Sequence, residues 1–210
     1  MSETPRRAQA GASNWNVPNV LTVIRIIMVP IYVVLLFLHP DVFSWRLLAT
    51  IVFVAAMLTD LADGHIARKY NLITDFGKLW DPIADKALTG AAFVSLSILG
   101  ELPWYFTILI LVREWGITLV RERLKKYGTV MAANKGGKAK TLTQTFALIL
   151  FSLGLAFMPG WVQFAGWLLM WAALILTVVT GLDYLRHAWS IRSRARQAAS
   201  QSGDAAGEES

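Results

Sequence analysis

Six stretches of this chain are apolar over lengths that suit a lipid bilayer better than a soluble core. They run from about Val20 to Leu38, from about Leu47 into an acidic segment, from about Ile83 to Leu99, from Leu102 past Val112, from about Leu142 to Met158 and from about Trp161 to Leu182. A helix needs about 20 mostly apolar residues to cross a membrane. With 55% of its 210 residues hydrophobic and 16% charged, the chain has room for several such helices and little material for a water-facing shell. The expected fold is an all-α integral membrane protein with six transmembrane helices, in which Pro30 is a possible kink in the first.

The connections alternate in charge. "HPDVFSW", "GELPW" and "MPGW" are short and hold one basic residue, Arg46. The opposite side collects Arg6, Arg7, Arg68, Lys69, the cluster from Arg121 to Lys140, and Arg186, Arg192, Arg194 and Arg196. Lys and Arg concentrate on the cytoplasmic side of membrane proteins, so both termini are expected there, which requires an even number of spans. Trp45, Trp104 and Trp161 sit at the three short loops, and Trp15 and Trp189 near the other boundary, where amphipathic rings favour the headgroup level. The polar start "MSETPRRAQAGASNW" does not read as a cleaved signal, so the first apolar run is expected to be retained. Residues 1–14 and 196–210 are small and polar and are expected to be disordered tails around one membrane domain, 15–195. The net charge of +6 flanks apolar runs, which favours anionic lipid or phosphate-bearing substrates over nucleic acid. The absence of cysteine removes thiol catalysis and zinc-thiolate sites.

Against this background "TDLADGHIARKYNLITDFGKLWDPIADKALTG" stands out. Carboxylates at membrane depth are costly and usually face a polar cavity with a function. Asp60 and Asp63 are three residues apart and share a helix face, as do Asp81 and Asp85, four apart. Two helices can therefore direct four carboxylates at one another. Arg68, Lys78 and Lys86 are nearby counter-charges, but all-oxygen ligands suit hard cations, Mg²⁺ or Mn²⁺, and two such ions form a template for phosphoryl transfer. Gly64 and Ala67 leave room for helix packing or a flat ligand. Asp75 is expected to cap a helix, and His65 to neighbour the site without ligating. Because Asp81 precedes Pro82, the third helix has two possible starts: at Asp81, or near Asp75 with a kink.

These residues resemble the signature of the CDP-alcohol phosphotransferases: Asp60-x-x-Asp63-Gly64-x-x-Ala67-Arg68, eight residues, then Gly77-x-x-x-Asp81-x-x-x-Asp85, with every fixed position present. The resemblance implies transfer of a substituted phosphate from a CDP-linked lipid or alcohol to an acceptor hydroxyl, with release of CMP. By position it implies that Asp60, Asp63, Asp81 and Asp85 hold two metal ions. Asp85 would also be general base, Arg68 would contact the diphosphate, and Gly64 and Ala67 would make space for cytidine. It also suggests a homodimer.

The acceptor is read from a second region, "VREWGITLVRERLKKYGTVMAANKGGKAKT". Lys125 and Lys126 fit the positive-inside pattern and lipid phosphates. Arg113 lies inside an apolar helix, where an unpaired cation is costly, and Glu114 beside it is expected to point elsewhere. Arg113, Arg121, Lys138 and Lys140 are the candidates for an anionic-acceptor pocket. In "NVPNVLTVIR", Asn19, Thr22 and Arg25 form a polar stripe directed at the CDP-lipid head. Both segments are most similar to the bacterial family members that make phosphatidylglycerophosphate. CDP-diacylglycerol and glycerol 3-phosphate are then the expected substrates, in the bacterial cytoplasmic membrane, with the site on its cytoplasmic side. Phosphatidylinositol-phosphate and cardiolipin synthases of the same family are the alternatives. An ion or proton transporter is the alternative of another class, and it leaves the fixed Gly, Ala and Arg positions unexplained.

Overall fold

The structure is a computed structural model, and it describes residues 16–70, 74–126 and 135–207. Their regular elements are all helical: α1 (Val17–Leu38), α2 (Phe43–Lys69), α3 (Asp75–Ile98), α4 (Trp104–Lys126), α5 (Lys135–Ser152), a 3-10 turn (Leu155–Phe157) and α6 (Gly160–Gly207). The expected disorder of residues 1–14 lies outside the described residues.

Each apolar stretch contributes most of its residues to one helix, and the bounds of helix and apolar run differ. α3 starts at Asp75 and continues through Pro82, which selects the earlier of the two expected starts. Its cap is Thr74, not Asp75: the Thr74 hydroxyl accepts the Gly77 N–H at 3.1 Å and donates to Asn19 Oδ1 at 2.8 Å. An ionised aspartate only accepts, so it could not make both contacts. α5 ends at Ser152, short of the expected Met158, and a 3-10 turn fills the interval. α6 continues to Gly207, so residues 196–207 have helical backbone where a disordered tail was expected; their Ala, Arg and Gln residues have high helix propensity.

Among the described residues, three helical segments are long and apolar enough to cross a membrane: Val17–Leu38, Phe43–Gly64 and Gly160–Arg186. α3, α4 and α5 carry more charge along their lengths, including Asp81 and Asp85, Arg113 and Glu114, and Lys138 and Lys140. Ile27, Val34, Ile51, Leu58, Phe164 and Leu168 are all exposed. So broad an apolar exterior suits hydrocarbon surroundings rather than water. The exposed Trp104, Trp161 and Trp189 agree with rings at the bilayer edge.

The chain divides into two compact units. The first holds α1, α2 and α3 together with Ser152–Phe157. Within it α1 packs mainly along α2 and also along α3. Asn16 caps α1 by accepting the Asn19 N–H at 3.1 Å, and Pro18 stands in the first turn, where its missing N–H costs nothing. The buried face of α1 is Pro18, Asn19, Thr22, Arg25, Tyr32 and Leu36: polar at its start, aromatic and aliphatic further along. Tyr32 packs on Phe53 with ring centroids 5.4 Å apart, and its hydroxyl is 2.8 Å from Ser152 Oγ. Arg46, read from sequence as the basic residue of a short loop, is instead fully buried, with Nε donating to the Ser152 carbonyl at 2.9 Å.

Gly154 completes that contact with φ +81°, and an added Cβ there would lie 2.8 Å from a Phe157 ring carbon. Gly100 has φ +76° in open space. Gly100→Ala is therefore expected to cost about 1 kcal/mol of backbone strain alone, whereas Gly154→Ala adds a clash and is expected to cost about 2–3 kcal/mol. Thermal unfolding of the two variants in detergent checks this, and equal losses would refute the packing argument.

The second unit holds α4, α5 and α6. Phe106, Trp171, Trp167 and Phe151 form its aromatic core, with Phe106 edge-on to Trp171 at 4.9 Å and Phe151 edge-on to Trp167 at 5.1 Å.

Candidate active site

The start of α1 meets the end of α2 and the early turns of α3 in a cluster of charge. Arg25 is fully buried. Its Nη1 is 2.7 Å from Asp60 Oδ1, and its Nη2 is ion-paired with Asp63 Oδ2. Asp63 is buried, while the Asp60 side chain retains 34% exposure. One turn before Arg25, the Thr22 hydroxyl donates to Asp81 Oδ1 at 2.5 Å, with the Pro18 carbonyl 3.1 Å away as its other possible acceptor. A turn earlier again, Asn19 accepts from Thr74. The three-residue spacing of Asn19, Thr22 and Arg25 thus places each on a different partner around the acidic segment.

Gly77 allows this approach. A Cβ there would stand 3.2 Å from Asn19 Oδ1 and 3.4 Å from both Asp81 Oδ2 and Thr74 Oγ1. The close packing of α3 on α1 therefore depends on the absence of a side chain. Asp85 follows one turn after Asp81 and is partly exposed, with the Thr89 hydroxyl on its backbone carbonyl at 3.0 Å. Gly64 is partly buried in α2. Ala67 and Arg68 lie on the α2 backbone, and their side chains, like that of His65, lie outside what is described.

Asp60 and Asp63 share one cation, Arg25, and Asp81 acts electrostatically on both of them. Among the described residues no three acidic, His or Cys side chains converge closely enough to hold an ion as they stand. The donor set is nevertheless of the kind a hard divalent cation takes. Three carboxylates against one guanidinium leave negative charge uncompensated among these four groups, which is what a cation would offset. Charge and donor chemistry therefore fit a metal ion, and the side chains would need to rearrange to bind one.

What sequence reasoning missed is the partner of a residue it had named. Arg25 was assigned to the CDP-lipid head, with Arg68, Lys78 and Lys86 noted as nearby charges, and it is the cation on Asp63, 38 positions away. The signal available was a buried arginine in a helix otherwise fit for lipid.

In the second unit Arg113 is also tied down. Its Nε donates to the Thr177 carbonyl at 3.1 Å, its Nη2 to Thr180 Oγ1 at 2.8 Å and its Nη1 to Glu114 Oε1 at 3.2 Å. Lys140, which is buried, is ion-paired with the same Glu114 oxygen. The expectation that Glu114 points elsewhere is corrected: partly buried cations recruit the nearest carboxylate. Gly181 makes room, since a Cβ there would lie 3.0 Å from Arg113 Cγ. Arg113 and Lys140 are brought together, two cations around one carboxylate. Arg121 and Lys138 lie on α4 and α5, and their side chains lie outside what is described.

Comparison with known proteins identifies the family. The family model for CDP-alcohol phosphatidyltransferase matches residues 15–179. A Mycobacterium tuberculosis (strain H37Rv) protein named probable phosphatidylglycerophosphate synthase is 44% identical over 186 residues, covering 88% of this chain and 87% of the relative. A Bacillus subtilis (strain 168) protein named CDP-diacylglycerol–glycerol-3-phosphate 3-phosphatidyltransferase is 38% identical over 189 residues, covering 83% of this chain and 96% of the relative. A Rickettsia prowazekii protein of the same name is 37% identical over 175 residues, covering 81% and 94%.

Proposed function

The chain belongs to the CDP-alcohol phosphatidyltransferase family, and we propose that it transfers a phosphatidyl group from CDP-diacylglycerol to glycerol 3-phosphate, giving phosphatidylglycerophosphate and CMP in phospholipid biosynthesis. The observation that carries the reaction class is the gathering of Asp60, Asp63 and Asp81, from two helices, around the α1 stripe. The names of the relatives carry the acceptor.

Enzymes of this family are generally dependent on divalent metal. In this reading Asp60, Asp63, Asp81 and Asp85 hold two ions, Mg²⁺ or Mn²⁺. Held there, such ions would supply positive charge against the diphosphate and the departing CMP. The chain supplies position and proton transfer. Asp85 takes the proton of the acceptor hydroxyl as its oxygen bonds to the lipid-side phosphorus and the bond to the CMP oxygen breaks. The family pattern assigns Arg68 to the diphosphate and Gly64 and Ala67 to the space for cytidine. Thr22 and Asn19 fix Asp81 and the first turn of α3, and Gly77 lets them approach.

Arg113 and Lys140, with Arg121 and Lys138, receive the phosphate of the acceptor. Glu114 orients the two described cations, and two cations against one carboxylate leave a net positive site for a dianion. Six spans, cytoplasmic termini, a cytoplasmic-side site in a bacterial inner membrane and a homodimer complete the proposal. The distribution of Lys and Arg supports the topology.

The test is CMP release from CDP-diacylglycerol by purified protein with Mg²⁺ or Mn²⁺, offering glycerol 3-phosphate, inositol phosphate or phosphatidylglycerol separately. Release with glycerol 3-phosphate alone is expected. Release only with another acceptor would overturn the acceptor and keep the class. No release from folded protein would overturn both.

A further inference from the structure

Arg25 is placed where a cation is needed, and its hydrogen bonding is incomplete. Its guanidinium bridges two carboxylates one turn apart on α2. Among the described residues its Nε has no partner, and Nη1 makes an ion pair without a well-formed hydrogen bond, although both atoms are fully buried. A buried arginine with a purely architectural task normally has its donors satisfied. Thr22 covers the third carboxylate from the same helix, so α1 closes one side of the whole cluster.

We propose that Arg25 is the resident counter-cation of this site. In metal-free protein it neutralises Asp60 and Asp63. When a divalent ion takes those carboxylates, the guanidinium is released from them and its free donors turn to the diphosphate of the incoming nucleotide-lipid. The proposal rests on Asp60 and Asp63 being metal ligands. Two carboxylates at this spacing, one of them buried, repel one another and are stabilised by a cation between them. A guanidinium and a divalent ion cannot both sit on the same two oxygens without repulsion. Arg25 and the metal therefore weaken each other's hold, and that coupling is reciprocal. The orphaned Nε gives the displaced side chain a donor ready for a phosphate oxygen.

The experiment is Mn²⁺ binding, followed by electron paramagnetic resonance, to the full-length chain in detergent without substrate, together with thermal unfolding with and without Mn²⁺. Arg25→Met is expected to bind Mn²⁺ about tenfold more tightly than wild type. Its thermal midpoint should fall without metal and recover with it. Arg25→Lys keeps the charge but cannot fork across two carboxylates, and about threefold tighter binding is expected. It provides the answer if Arg25→Met does not fold. Asp63→Asn supplies the blank. Equal or weaker Mn²⁺ binding in the folded variants would overturn the proposal and leave the metal site standing, as would a midpoint loss that Mn²⁺ does not repair. Wild-type protein binding no more Mn²⁺ than Asp63→Asn would overturn the metal site and the proposal together.

Discussion

Asp81→Asn is expected to lower the rate of CMP release by about a hundred- to a thousandfold while leaving the protein folded. The substitution is nearly isosteric, and the asparagine carbonyl oxygen still accepts from the Thr22 hydroxyl that holds Asp81 in place. Only the negative charge and one hard ligand oxygen disappear, so the loss reports on metal and charge rather than on packing. Thr22→Val removes the hydroxyl and keeps the shape. Its expected cost is that of one hydrogen bond, about tenfold in rate, because Asp81 keeps its charge but loses its tether. Steady-state CMP release by both variants, with circular dichroism as a check on folding, decides the matter. An Asp81→Asn enzyme within tenfold of wild type would remove Asp81 from the metal site.

Lys140→Met should raise the KM for glycerol 3-phosphate by about ten- to a hundredfold and leave the KM for CDP-diacylglycerol within about twofold. Methionine is similar in length and apolar, so a buried position accepts it. Glu114 keeps Arg113 as a partner, which prevents a stranded carboxylate. What is lost is one of the two described cations proposed to receive the acceptor's phosphate. A variant with unchanged KM for both substrates would make the Arg113–Glu114–Lys140 cluster a helix tie and nothing more. A variant affected equally for both would place the cluster in the architecture of the whole protein.

Much of the candidate site was legible because charge in lipid is costly and fixed spacing sets helix faces. Asp60, Asp63 and Asp81 stood out on those grounds, and the three-residue rhythm of Asn19, Thr22 and Arg25 marked a face before its partners were known. The partners themselves were illegible. Nothing local connects Arg25 with Asp63 or Thr74 with Asn19, because those contacts arise from how α1 lies across α2 and α3. The start of α3 was left open between Asp75 and Asp81 for a related reason: apolarity marks where a helix needs lipid, whereas its beginning is set by a cap, here Thr74, whose partners come from the fold. Glu114 was misjudged from projection angles alone, which neglect how far long side chains bend toward a buried opposite charge.

The division of α1's buried face has a mechanical consequence. Asn19, Thr22 and Arg25 grip polar partners near one end of the helix, and Tyr32 and Leu36 fit apolar ones further along. If α1 slid along α2 by one turn, the guanidinium would lose its carboxylates and the tyrosine its ring contact with Phe53 together. The helix is therefore indexed like a key in its ward, with a single depth that satisfies both ends. A thicker or thinner bilayer cannot be met by pistoning of α1. The mismatch must be absorbed by tilting of α1–α3 together or by deformation of the surrounding lipid, and the spacing of the acidic cluster stays the same in either case.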